Sequence, residues 1–240
     1  MTTVTTTAMA TITTTEGAAL YRLLAWLSPA YPVGAYTYSH GLETAVEDGS
    51  VTTRAALVDY IATVLRAGAG RIDGALLVAA WRAAEAGADA TLDELALLAA
   101  AWRSTAETAL ESMAQGTAFS SVTQSAWPDV RFAALAAWHP RALAHPVAFG
   151  AAAGFQGIPL RPAVAGWLAA FAANLVSAGV RLVPLGQTDG QIATAALPPV
   201  VEAAVDAALA ADLDTLGTAA PMLDLLSMRH ETQYTRLFRS

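Results

Sequence analysis

His40 and Glu43 stand three residues apart, so on a helix they share a face and have the types to bind a metal or work as an acid–base pair. One such pair is not a helical metal centre, because those centres repeat Glu-x-x-His with further glutamates. No Glu-x-x-His occurs in the chain. His230-Glu231 opens like a zincin motif, but Tyr234 stands four positions after His230, where the second histidine belongs. His139 and His145 each precede a proline and read as turn or helix-start residues with a polar tip in water. Capping or hydrogen bonding is the expected role of His40 and Glu43. A metal-dependent hydrolase using His40, Glu43 and His230 is the competing reading, and no catalytic or metal-ligating set is assigned.

Composition narrows the chemistry further. The 13 basic residues are all Arg, so a Walker A loop, a Schiff-base lysine and a lysine general base are excluded. Cysteine is absent, which removes disulfides, thiolate nucleophiles and Cys-ligated zinc. The net charge of -7 repels phosphate backbones, so no nucleic acid is expected as a partner. Gly150, Gly154 and Gly157 lack the dinucleotide-binding spacing and are expected to permit close helix packing instead.

Three segments depart from the Ala- and Leu-rich background: Leu27–Glu43, Ala178–Gln191 and Ser227–Ser240. Tyr and Arg beside glycine turns give large contact area at low ordering cost, the composition of recognition surface. Composition leaves recognition surface level with an ordinary loop, helix end or frayed terminus; on the first reading the partner-binding residues are Tyr36, Tyr38, Ser39, His40 and Glu43, and Arg181, Gly186, Gln187 and Asp189. In the last segment they are Arg229, His230, Glu231, Tyr234, Arg236, Leu237, Phe238 and Arg239. Leu237 and Phe238 between arginines need a surface to dock on, so residues 229–240 read as a partner-binding tail that orders on binding.

The elements that position these segments are helical. With 55% hydrophobic and 14% charged residues, the chain has material for a sizeable core. An all-α, single-domain multi-helix bundle over residues 16–240 follows, after a disordered Thr-rich tail over residues 1–15. Helices are predicted over 16–27, from Thr52 or Thr53 to Gly68, from Asp73 to Gly87, and from a capping box at Thr91–Glu94 through Trp102 to about Val122. More follow near 130–138, 140–154, 160–182, 199–211 and 220–230. The uncharged stretch Pro162–Val180 is long enough to span a bilayer. Its Ala and Gly content and its stripe of Val164, Leu168, Phe171 and Leu175 predict a buried core helix instead, with no membrane.

The three segments resemble the signature regions of the UreF family in order and position. The first resemblance is carried by Ser28-Pro29, Pro32-Val33-Gly34 and Tyr38-Ser39-His40-Gly41-Leu42-Glu43. The second is carried by Arg181-Leu-Val-Pro-Leu-Gly-Gln-Thr-Asp-Gly190. The third is carried by Arg229-His-Glu-x-Gln233-Tyr234-x-Arg-Leu-Phe-Arg-Ser240, and a weaker likeness covers Thr105–Glu107 and Gln115-Gly116. Ala35 stands where the family often has a second glycine. The resemblance implies a cytoplasmic, non-enzymatic, homodimeric urease accessory protein that acts in nickel insertion. It would bind UreD (also called UreH) and then recruit and modulate the GTPase UreG and the urease apoprotein. It also implies that the nucleotide and the primary nickel site belong to UreG. This chain then needs no cofactor, and nickel would meet it only in transit.

Overall fold

Ala-rich sequence punctuated by Gly, Pro and capping residues gives helices and no strands among the described residues. The structure is a computed structural model that describes the backbone of residues 6–240 and the side chains from residue 16 on. The tail expected over residues 1–15 lies outside the residues described in full. In chain order the helices are α1 (Thr6–Leu27), α2 (Leu42–Glu47), α3 (Arg54–Ala67), α4 (Ala69–Ala86), α5 (Asp89–Ala101) and α6 (Ala106–Ala126). They continue as α7 (Val130–Trp138), α8 (His145–Phe155), α9 (Leu160–Leu182), α10 (Gln187–Ala196), α11 (Pro198–Leu209) and α12 (Pro221–His230). Together they form one all-α domain.

The buried α4 is the axis of the packing, with α3, α5, α8, α9 and α11 against it. Its approach to α8 depends on glycine. A Cβ at Gly150 would stand 2.4 Å from the Leu77 carbonyl oxygen, and one at Gly154 would stand 2.8 Å from that of Trp81. Gly150 and Gly154 thus permit close packing as expected, whereas Gly157 does not: it takes a positive φ of 66° after α8, and a Cβ there would meet nothing within 4 Å. On the far side of α8, the buried Phe119 of α6 takes the edge of Trp26 at 5.4 Å and packs on Phe149 at 5.5 Å between ring centroids. Helix α9 is long and apolar enough to span a bilayer, yet Val164, Leu168 and Leu175 are buried inside the domain.

Several predicted boundaries hold: the stop of α1 at Leu27, the Thr53 cap of α3, and Gly87 in the left-handed region after α4. Others do not. Thr91 lies inside α5, and the chain's capping box is Thr105 with Thr108, at the start of α6. The long helix predicted from Leu95 to Val122 is therefore broken at Trp102–Thr105. Three tertiary partners hold this break, and none of them leaves a mark on local periodicity. Arg103 donates to Asp73 at 2.6 Å, Ser104 to Asp224 at 2.7 Å, and the Thr105 hydroxyl meets that of Ser227 at 2.8 Å. Helix α4 begins at Ala69 rather than at Asp73. Helix α8 begins at His145 rather than near Pro140.

Candidate functional site

Glu43 lies in the first turn of the six-residue α2, whose start is set by His40 and Gly41, both with positive φ (54° and 76°). Only glycine fits at Gly41, because a Cβ there would stand 2.9 Å from the Ser227 amide nitrogen of α12. This close approach seats α2 on α12 and aims Glu43 inward, where it is 7% exposed. Its carboxylate accepts the amides of Leu237 and Phe238 at 2.6 and 2.9 Å and faces His230 Nε2 at 3.1 Å. His230 is completely buried, and its other nitrogen faces Glu107 of α6 at 2.9 Å. Arg236 closes the ring, 3.2 Å from Glu107.

Both ring nitrogens of His230 are occupied, Nε2 by Glu43 and Nδ1 by Glu107. Two acids, one histidine and one guanidinium thus face one another inside the fold. The knot spends every polar atom of His230 on holding chain to chain. No group of three or more His, Cys, Asp or Glu suited to a metal ion occurs among the described residues.

One turn along α6, Glu111 organises a second layer. It faces His40 Nε2 at 2.9 Å, accepts from Gln115 at 2.8 Å, and accepts the Ser240 hydroxyl at 3.1 Å. Burial pushes the His40 pKa down, but the charge and hydrogen bond of Glu111 outweigh it and leave the value raised. Tyr60 donates its hydroxyl to the His40 carbonyl at 2.7 Å, and burial above all raises that phenol. The Tyr38 hydroxyl is likewise raised, by burial and then by the charge of Glu111. Both phenols are therefore protonated at neutral pH.

The chain's last residues pair with the loop before α2. The Ser39 amide donates to the Ser240 carbonyl at 2.8 Å, and the Ser39 hydroxyl donates to the same oxygen. The Arg239 amide donates to the Thr37 carbonyl at 2.8 Å. Phe238, 3% exposed, carries the Arg181 guanidinium 4.4 Å above its ring, and Arg181 donates to the Tyr36 carbonyl at 2.8 Å. The tail expected to order on a partner is thus ordered on the chain's own body.

The structure brings together Tyr36, Tyr38, Ser39, His40, Glu43, Arg181, His230, Arg236, Phe238 and Arg239. It leaves others apart. Gly186 and Gln187 start α10, and Asp189 pairs with Arg54 of α3. Arg229 reaches Asp48 at 3.1 Å, while Glu231, Tyr234 and Leu237 point to solvent. The face shared by His40 and Glu43 on one helix does not form, because His40 lies before α2 and turns to Glu111. The convergence on which a hydrolase reading rests is therefore incomplete: Glu43 and His230 meet, and His40 does not join them. His139 and His145 are not tips in water. His139 faces Asp93 at 2.9 Å, and His145 lies against Phe119 and Trp167.

Sequence reading assigned no role to Glu107, Glu111 or Gln115, the α6 half of the site. The available signal was two acids four residues apart in a helix with little apolar patterning, which places both on one buried face.

A domain built this way belongs to the class of all-helical proteins that fold a terminal segment onto a charged interior and display part of it outward. A family model described as UreF matches residues 51–198. A urease accessory protein UreF from Granulibacter bethesdensis is 68% identical, over 94% of this chain and 96% of that one. One from Rhodopseudomonas palustris (strain HaA2) is 51% identical over 94% of this chain and 95% of its own. One from Methylorubrum populi is 49% identical over 91% and 98%. With this extent of identity the chain belongs to the UreF family of urease accessory proteins.

Proposed function

We propose that the chain is a non-enzymatic scaffold of urease maturation, bridging UreD (UreH) and the GTPase UreG so that nickel reaches the urease apoprotein. The observation that carries this reading is the two-sidedness of residues 229–240. His230, Phe238 and Ser240 are buried in the knot, whereas Tyr234 is fully exposed and Leu237 is 63% exposed. Arg229, Arg236 and Arg239 are exposed beside them. Aromatic, apolar and guanidinium groups on a fixed backbone make a surface suited to another protein. The groups that could do acid–base work are tied into the knot behind it. The working unit is a homodimer in the cytoplasm. It takes no resident cofactor, meets nickel only in transit, and modulates UreG through contact.

Reconstitution tests this. Purified chain, UreD, UreG, urease apoprotein, nickel and GTP are combined, and urease activity and co-elution are measured. Activation is expected to require the chain, with the chain eluting in a complex with UreD and UreG. Full activation without it, or substrate turnover by the isolated chain, overturns the reading.

A further inference from the structure

Among the described residues, five buried side-chain polar atoms have no hydrogen-bond partner, and three of them belong to residues that line one cleft. The cleft encloses about 460 Å³ between the 28–36 loop, α6, α8 and α9, the size of pockets that hold organic molecules. The three atoms are Arg103 Nη2, Trp26 Nε1 and Ser112 Oγ. Their side chains are more than nine-tenths buried, with Trp26 3% and Ser112 6% exposed and the Arg103 side chain 6%. A buried donor without an acceptor costs free energy, so three around one cleft call for a common acceptor. Arg103 also borders a smaller cleft of about 180 Å³ towards α12, whereas Trp26, Ser112 and Asp73 border only the larger one.

A fourth group joins them. The His145 ring lines the cleft and takes no hydrogen bond among the described residues; burial, and then Arg103, push its pKa down to about 4, leaving a neutral imidazole. The four lie together. His145 and Trp26 both pack on Phe119, at 5.6 and 5.4 Å between centroids, and on Phe149, at 6.3 and 5.8 Å. Gly116, one turn beyond Ser112 on α6, is so close to α8 that a Cβ there would stand 2.8 Å from the His145 amide nitrogen. Arg103 is near enough for its charge to act on His145.

The chemistry of the four selects the guest. A guanidinium and an indole N–H only donate, whereas a hydroxyl and a neutral imidazole can do either. A carboxylate only accepts, so it suits all four, and at Arg103 the bond is charge-assisted. A carboxamide would turn its own NH2 towards donors. Arg103 gives Nη1 to Asp73 at 2.6 Å and Nε to the Ala99 carbonyl at 3.2 Å, which leaves Nη2 for the guest. Asp73 and Glu111 stand on the same wall, so one further negative charge is accommodated at Arg103 and a second is repelled. Beyond this polar end the walls are rings, with Trp167 and Phe171 5.6 Å apart between centroids, a lining for an apolar body. We propose that the cleft binds a small organic monocarboxylate with a flat apolar body, its carboxylate on Arg103 Nη2 and the donors gathered round it, its body against Trp167 and Phe171. This does not depend on the scaffold reading.

The test titrates the purified full chain with indole-3-acetate, indole-3-acetamide and acetate, followed by calorimetry. Indole-3-acetate is expected to bind about tenfold tighter than its amide, the worth of a hydrogen bond to a charged group, and about tenfold tighter than acetate, which lacks the apolar body. Arg103→Lys keeps a cation for Asp73 and removes the free guanidinium end, so it should abolish the preference for acid over amide. Ser112→Ala removes a hydroxyl that has no partner in the fold. Its melting temperature should hold or rise while indole-3-acetate binding falls by about threefold or more, which keeps the test decisive if Arg103→Lys does not fold. Equal affinity for acid and amide, a preference that survives in folded Arg103→Lys, or parent-like binding by Ser112→Ala overturns the proposal. So does acetate binding as tightly as indole-3-acetate, or no saturable binding by either indole probe. In each of these events urease activation would still depend on the chain, which separates failure here from failure of the scaffold reading.

Discussion

Glu43 and His230 meet at 3.1 Å across 187 residues of chain, and the same carboxylate caps the amides of Leu237 and Phe238. A single side chain therefore joins α2 to α12 and to the last segment. The outward display of Tyr234 and Leu237 depends on this inward contact, because the backbone that carries them is fixed from behind. The stability of the last segment and the outward display of its side chains are therefore coupled at Glu43.

Glu43→Gln preserves shape but removes the charge and one acceptor, leaving an amide NH2 against a backbone N–H or against His230. Breaking one side of a buried ion pair makes the expected loss about 3 kcal/mol. Urea unfolding should report it, and hydrogen exchange at the Leu237 and Phe238 amides should speed up. Unchanged exchange at both amides would show that Glu43 does not hold the segment.

Phe238→Ala tests the apolar half of the same attachment. The ring is 3% exposed and lies under Arg181, so its removal leaves a cavity and frees the guanidinium. The expected destabilisation is about 3 kcal/mol, and deletion of residues 237–240 should cost at least as much. Thermal melts decide it. A melting temperature within a degree or two of the parent would mean the segment docks without contributing to the fold.

Much of this architecture was legible in the sequence, and the misses share one cause. Helix stops at Leu27 and Gly87 and the Thr53 cap are local signals, written in proline, glycine and hydroxyl residues at the boundary itself. The break between α5 and α6 is not local, because Arg103, Ser104 and Thr105 leave the helix for partners 30 to 122 residues away. The knot shows the same division. Tyr, Arg and His in the two end segments stood out against alanine, whereas Glu107 showed only in a weaker likeness and Glu111 became visible only once α6 was laid across α12. Residues of one element that look like a solvated face cannot be told from a buried polar layer until the facing element is known.

The two histidines beside the cleft predict opposite pH dependences. His40 has a raised value in the fold, set by Glu111 and Asp73 against burial and Arg103. Its share of stability is complete below the unfolded value of 6.5 and is lost as pH rises through the raised one. His145 has a lowered value of about 4, so its neutral form is the one the fold prefers. Stability is lost as pH falls from 6.5 towards about 4, by up to about 3 kcal/mol. Urea unfolding of three proteins from about pH 4 to about pH 8 separates them. His40→Gln should fall furthest below the parent on the acid side of 6.5 and approach it at higher pH. His145→Phe should lack part of the parent's acid-side loss. Parallel curves for all three would remove both assignments.

The outward face of the last segment gives the converse of the knot variants. Tyr234 is fully exposed and the Leu237 side chain is 63% exposed. Truncating both to alanine removes almost no internal contact, so stability should stay within about 0.5 kcal/mol of the parent. If these side chains anchor a partner, the same double variant should weaken binding to UreD or UreG by at least tenfold, since aromatic and large apolar anchors dominate interfaces. Calorimetric titration beside a thermal melt reads both quantities on one preparation. A variant that melts like the parent and binds like it would mean that partners are met elsewhere on the domain, and the displayed segment would lose its assigned role.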